Sequence, residues 1–466
     1  MSDIIPNLTS TSSRLMATLA ELNSEPTWSL DKRRAAAIAM RHLPVPDRHC
    51  EAWQHTPCDN FLIDTNVGHC LTRPEGYGEV APSWSNLSAS SAAGHADSAG
   101  TPNAAGQADS ASTPNTGKEN SAGTPSAAGA DCALPEGVTA CSIVEAMRNL
   151  PEAEKFFFLN NAHQRDFYSA VNAAWRNGGI WLDATPNLAV NDVLLATHRP
   201  EMDFYAPHSV VRLNAASSMS CIEHFKSGEE TKHSYGNIEL HLAPEAALQY
   251  ALVLDWGHNC SALTQLHITL QEGSQAELLI IALNGRDNKV LLTSDIVGSN
   301  ASCKVYGLTY ADGEQNFEVN LLQQHHAGRS ASDVLYHCAV NDSARSVFAG
   351  NIWVAGHAQK SDAYQKNRNL LLSPKARAFS QPQLEIIADD VRCTHGANFT
   401  SYDPEQQFYL QSRGIEPQQA QALIVSGFLQ EIVGHFAANP GRSYLADLVN
   451  RRLHNEWMSF SEGDFN

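Results

Sequence analysis

From about residue 180 the chain reads as a succession of short strands. Segments such as Gln265-Leu266-His267-Ile268-Thr269-Leu270 and Phe317-Glu318-Val319-Asn320-Leu321 place an apolar side chain at every second position, the period of a half-buried strand. The series begins at Ile180-Trp181-Leu182 and Val210-Val211-Arg212-Leu213 and runs to Leu384-Glu385-Ile386, with Gly, Asn and Asp turns between members. No helical period interrupts it between residues 238 and 395. A single conventional sandwich does not use so many strands. A β-helix, a propeller and two sandwiches all fit; irregular spacing and the lack of a blade motif favour the β-helix.

Helical patterns flank this region. Residues 12–43 predict two short helices, the first carrying Leu15, Leu19 and Leu22 at helical spacing. The second is expected to be capped by Ser29 and stopped by Pro44 and Pro46. An amphipathic helix is expected over Gln164–Arg176, ended by Gly178-Gly179. Near the C-terminus, Pro417 opens a helix whose stripe is Ala420, Leu423, Ile424, Phe428, Ile432 and Phe436. Asn439-Pro440-Gly441 breaks it, and Ser443 caps a second helix carrying Leu445, Leu448 and Val449. This hairpin either packs on its own domain or presents a docking surface. The organisation expected is an N-terminal helical region (1–84), an insert (85–131), a helical lead-in (132–179), the β core (180–403) and a C-terminal helical region (404–466).

The insert is of different material. It is almost wholly Ala, Gly, Ser, Thr, Pro, Asn and Asp, and Ala92–Asn103 recurs with few changes as Ala104–Asn115. No copy has an apolar face to bury, so the segment reads as a disordered insertion rather than a solenoid repeat.

Composition narrows the function. The 466 residues carry a formal charge of −19, which argues against nucleic acid and against anionic membrane surfaces. No apolar run approaches the ~18 residues of a spanning helix. The N-terminus lacks a basic and an apolar secretory region, so a cytoplasmic protein with ten reduced cysteines is expected. No Cys-x-x-Cys pair occurs. Phosphate-loop, dinucleotide, zincin and nucleophile-elbow motifs are absent. Asp389 and Asp390 are adjacent, so on a strand they face opposite ways and share no substrate; a turn is the better reading. The pairs His325-His326 and His337-Cys338 diverge for the same reason. Cys393 and His395 stand at i and i+2, which an extended chain projects to one side. A thiol beside an imidazole is a soft, partial site for iron or zinc, and two ligands are too few to hold a metal tightly. On spacing alone, a buried thiol beside a turn histidine is the favoured account of the pair.

The segment Pro382-Gln383-Leu384-Glu385-Ile386-Ile387-Ala388-Asp389-Asp390-Val391-Arg392-Cys393-Thr394-His395-Gly396-Ala397 resembles the signature of the SufB/SufD family of SUF iron–sulfur cluster assembly scaffolds. Val347-Phe348-Ala349-Gly350, Ala358–Ala363, Gln365, Asn369–Ser373 and Phe408–Ile415 extend the likeness, which is dense from about 330 to 435. The SufD side is indicated twice. Asn367-Arg368-Asn369 stands where SufB has a cysteine, and Cys393-Thr394-His395-Gly396-Ala397 stands where SufB reads Glu-His-Glu-Ala. The chain departs from the family at Ser401, where a glycine is usual.

The resemblance implies a right-handed parallel β-helix between helical ends, a heterodimer with a SufB-like paralogue, and C-terminal helices that dock a SufC-like ATPase. Phe428, Ile432, Leu445 and Leu448 are the expected docking residues. It implies a scaffold rather than an enzyme. His395, with Cys393 beside it, would face a nascent iron–sulfur cluster whose principal thiolate comes from the partner, and the isolated chain would bind no cofactor stably. Two other classes compete: a β-helix enzyme acting on a polysaccharide, which would need an export signal and an acidic cluster on one strand face, and a generic binding solenoid.

Overall fold

Nearly every alternating segment forms a strand. In chain order these are β1 (Ser83–Leu87), β2 (Val138–Ser142), β3 (Ile180–Ala184), β4 (Ala189–His198), β5 (Phe204–Tyr205), β6 (His208–Leu213) and β7 (Ser218–Lys226). Then come β8 (His233–Leu242), β9 (Ala247–Asp255), β10 (Ser261–Leu270), β11 (Gln275–Asn284), β12 (Asp287–Ile296) and β13 (Ser302–Ala311). The last six are β14 (Asn316–His325), β15 (Ala331–Val340), β16 (Arg345–Val354), β17 (Asp362–Leu371), β18 (Arg377–Ile386) and β19 (Arg392–Ser401). The helices are α1 (Thr27–Met40), α2 (Ile143–Asn149), α3 (Ala153–Phe156), α4 (Phe167–Trp175), α5 (Pro404–Ser412), α6 (Pro417–Val433) and α7 (Asn439–Ser459). This computed structural model describes residues 24–46, 80–87, 134–158, 162–164 and 166–459, with Cys50, Trp53, Gln54 and Phe61 as isolated points.

The strands coil into two facing sheets. One has the order β1-β4-β7-β9-β11-β13-β15-β17-β19, the other β18-β16-β14-β12-β10-β8-β6-β3-β2, with β5 beside β8. Only β1 on β4 and β2 on β3 are antiparallel; the other pairs are parallel and largely in register. From β6 onward successive strands alternate between the sheets, so the chain winds as a parallel β-solenoid of about 8 turns with helices at its ends. Inward side chains stack between the sheets as one continuous apolar core, including Leu240, Leu252, Leu266, Ile280, Leu292, Val305, Leu321 and Val334.

One corner recurs in each coil. Asn187, Ala216, Glu245, Gly273, Asn300, Arg329 and Lys360 all have φ between 55° and 67°. Their spacing is close to the length of one coil. Along this edge the N–H of Asn187 donates to Ala215 O, that of Ala216 to Pro244 O, that of Glu245 to Glu272 O and that of Gly273 to Ser299 O. The bonds hold each coil to the next. Left-handed φ at Ala, Glu, Arg and Lys is sterically unfavourable and is tolerated here because this ladder fixes the corner.

Helices cover both outer faces. α4 and α1, with Trp53 and Phe61, pack on Phe204, Tyr235 and Leu263 of the ten-stranded side. Ser29 does not cap α1. It lies buried within the helix and donates to Glu25, whose carboxylate also binds Arg33 and Arg176. Asp166 caps α4, accepting from Ser169 N at 2.7 Å, so that helix starts later than Gln164. α6 and α7 lie on the nine-stranded side, where Val425, Leu429, Ile432, Val433, Leu445, Leu448 and Val449 meet Ile222, Val253, Ile281 and Leu308. α6 ends at Val433, before Phe436. Asn439-Pro440-Gly441 forms the first turn of α7 instead of a break, which leaves Ser443 inside the helix.

Ser85–Leu87, assigned to the insert on composition, belong to β1, and β2 lies in the expected helical lead-in. The rest of the insert and the helix expected around Leu15, Leu19 and Leu22 lie outside the described residues.

Candidate functional site at the open end of the solenoid

The two sheets end on β19 and β18. β19 pairs only with β17, and β18 only with β16. Among the described residues no further strand follows β18 or β19, so each is the last strand of its sheet, and such an edge is a template for a further strand. The same end exposes apolar side chains: Phe399 is 51% exposed, Ile387 57%, Phe379 42%, Ile386 40% and Tyr364 41%. Solenoids ordinarily shield a terminal repeat with a polar cap, and here the helices that follow lie on a sheet face instead.

Cys393 and His395 both sit on β19, in register with Ala363 and Gln365 of β17. Ala363 and Gln365 are buried and face the interior. Cys393 and His395 therefore share the inner row of the last coil, as their i, i+2 spacing requires. Cys393 packs beside Ala363, Ala355, Ile352 and Val354, while His395 is exposed. Burial, and next the Asp362 carboxylate, push the Cys393 thiol up; a hydrogen bond with the Ala363 backbone acts the other way. A thiol so raised is protonated and weakly nucleophilic at neutral pH, so Cys393 is no preformed thiolate ligand. Among the described residues no group of three or more His, Cys, Asp or Glu side chains is disposed to hold a metal ion. Two donors on one strand fit part of a coordination sphere and leave the rest to another chain.

The other candidates separate. His325 points inward, bonded to Ser330 Oγ at 2.8 Å and Ser332 Oγ at 2.9 Å, while His326 points out. His337 faces α6, 2.8 Å from Phe428 O, and Cys338 faces the core. Asp389 and Asp390 lie between β18 and β19, where Asp390 O accepts from Lys360 N. No disulfide joins any two of the seven described cysteines. Burial raises Cys338 to about 11 and Cys303 to about 12, which makes both inert.

The expected docking residues are placed differently from their reading. Ile432 and Leu445 are 0% exposed and Leu448 is 7%, all against the chain's own sheet. Phe428 is partly buried and stacks on His337 with ring centroids 4.4 Å apart. A buried side chain offers no surface to a partner. Among the described residues, the large apolar groups these helices expose are Phe408 and Tyr409 on α5, at 71% and 58%, and Leu423 on α6, at 54%.

Beneath β19 lies a row the sequence reading used only as family markers. Gln365, Asn367 and Asn369 alternate along β17 and are all buried. Asn367 Nδ2 donates to Tyr336 O at 3.1 Å, and Asn369 Nδ2 to Asn367 Oδ1 at 2.6 Å. Three amides at every second position of a strand are a signal that the interior turns polar near this end.

Fold and site define a class: a parallel β-solenoid with helical ends and an unfinished last turn that carries one thiol and one imidazole. Residues 196–428, half of the chain, match the family described as SUF system FeS cluster assembly, SufBD core domain. The chain is 31% identical over 249 residues to the iron–sulfur cluster assembly protein SufD of Escherichia coli, covering 53% of this chain and 57% of that one. It is 28% identical over 341 residues to SufD of Bacillus subtilis, covering 68% and 74%. A SufBD family protein of Mycobacterium leprae is 31% identical over 225 residues, covering 47% and 57%. The chain thus spans only a little over half of two of these three relatives. It belongs to the SufB/SufD family of the SUF iron–sulfur cluster assembly system, on the SufD side.

Proposed function

We propose that this chain is a non-catalytic scaffold subunit that pairs, through the open end of its solenoid, with a SufB-like paralogue. The observation that carries the reading is the last turn: among the described residues β18 and β19 end the two sheets, and five apolar side chains there are 40–57% exposed. A homologous solenoid would supply the missing continuation. In that arrangement His395 stands at the seam with Cys393 beside it, and the nascent cluster is the cargo held between the subunits. The principal thiolate would come from the partner, with Cys393, whose thiol burial pushes up, as a secondary donor. α5 and the exposed side of α6, with Phe408, Tyr409 and Leu423, are the surface offered to a SufC-like ATPase.

The test is co-expression with the SufB-like and SufC-like proteins of the same host. Copurification of all three is expected. Phe399→Lys places a charge at the seam and should release the paralogue while the ATPase stays bound. His395→Ala should leave the complex intact, since one side chain is a small part of such an interface, and lower the iron and sulfide it retains. A complex indifferent to Phe399→Lys would overturn the assigned interface. Full cluster yield from His395→Ala would overturn the role of the imidazole.

A further inference from the structure

We infer that Gln365 is a positioning residue for His395: its side-chain carbonyl accepts one ring N–H of the imidazole and leaves the other nitrogen free to bind cargo. Three blocks of sequence meet here. Gln365 lies in register with His395 on the adjacent parallel strand, which puts the two side chains about 4.8 Å apart on the same inner face. The Gln365 side chain is 0% exposed and crosses the interior to β16 in the opposite sheet. There its Nε2 donates to Gly350 O at 3.3 Å. That contact identifies the nitrogen end of the amide and leaves Oε1 as the acceptor.

Gly350 makes the slot. A Cβ at this position would lie 2.4 Å from Gln365 Oε1 and 2.5 Å from Nε2, so only glycine lets the amide lie flat against β16. Oε1 is buried and, among the described residues, has no hydrogen-bond partner. A buried amide oxygen in that state is costly unless a donor reaches it. Its in-register neighbours are Val334, which has no side-chain donor, and His395, which has one. A metal-ligating histidine commonly has its second nitrogen held by such an acceptor, which sets the tautomer and the ring orientation.

The inference rests on the proposed role of His395 only for its consequence; the contact itself is measured separately. Long-range ¹H–¹⁵N correlation on the ¹⁵N-histidine-labelled full chain reports the tautomer of His395, assigned by the signal lost in His395→Gln. One tautomer is expected in the natural chain. Gln365→Leu and Gly350→Ala, the latter leaving both side chains chemically intact, should each give a mixed population. Gln365→Glu keeps an acceptor and should retain a single tautomer. An unchanged tautomer in both Gln365→Leu and Gly350→Ala would overturn the contact. In the complex, Gln365→Leu should lower retained iron on the order of tenfold, as loss of an outer-shell partner does. If the tautomer responds while iron does not, Gln365 still orients the ring and it is the cargo role of His395 that fails.

Discussion

His325 illustrates how burial decides a residue's chemistry. Its ring is enclosed between Ser330 and Ser332, and burial, then His326, bring its pKa down to about 4. The unfolded chain protonates histidine near pH 6.5, so between there and about 4 the unfolded state binds more protons. The stability this neutral ring contributes is complete above about pH 6.5 and is lost as pH falls towards 4. At 1.36 kcal/mol per unit, it amounts to about 3 kcal/mol across that window. Denaturant melts from pH 7.5 to 4.5 should therefore be steeper in pH for the natural chain than for His325→Gln, which has no proton to take up. Parallel curves would mean that the ring is protonated in the fold. Cys393 follows the same rule with the opposite outcome, because burial that keeps a histidine neutral also keeps a thiol protonated.

At the scale of elements, α6 shows how far a stripe can be read from spacing. The i, i+4 positions 420, 424, 428 and 432 were legible, but the helix is rotated about its axis relative to that reading. Val425, Leu429 and Val433 are buried, whereas Leu423 is more than half exposed. Which apolar residues face inward was decided by the sheet beneath, where Tyr306 stacks on His435 and His337 bonds Phe428 O. Ile432→Ala should cost about 2–5 kcal/mol, the range for a fully buried aliphatic side chain. Leu423→Ala should change the stability of the free chain by no more than about 0.5 kcal/mol. Equal losses for the two would mean that the helix packs in the other orientation. Any effect of Leu423→Ala on capture of the proposed SufC-like ATPase is then read without a folding defect.

For the whole molecule, the hairpin of α6 and α7 is part of the solenoid's stability. It covers Ile222, Val253, Ile281 and Leu308 on the outer face of the nine-stranded sheet. Arg452 bonds Leu283 O at 3.1 Å and Asp312 at 2.6 Å, fastening α7 across the coils. A chain truncated after Arg413 should therefore expose an apolar sheet face and aggregate, measured as loss of soluble monomer. A soluble, monodisperse truncation would show that the hairpin is an appendage. The last turn differs in kind: among the described residues no strand follows β18 or β19, so the proposed partner strand would pair there without any change in the chain.

Periodicity was enough to place most of the solenoid strands and the helices α1, α4 and α6, though not β1, β2, β4, β17 or β19, because alternation and helical spacing are local consequences of backbone geometry. The Cys393–His395 pair was also legible, since i and i+2 on an extended chain share a side whatever surrounds them. The repeating corner was not legible: Asn187, Ala216, Glu245, Arg329 and Lys360 share a conformation but no residue type, and what holds them is a hydrogen bond from the neighbouring coil. Gln365 stood in the sequence as a family marker, and only coiling put it between Gly350 and His395. Sequence determined which segments alternate and which residues could bear chemistry. Tertiary structure decided which coil each meets, which thiols are buried beyond reaction, and where the stack ends, because these depend on contacts between residues about one coil apart in the chain.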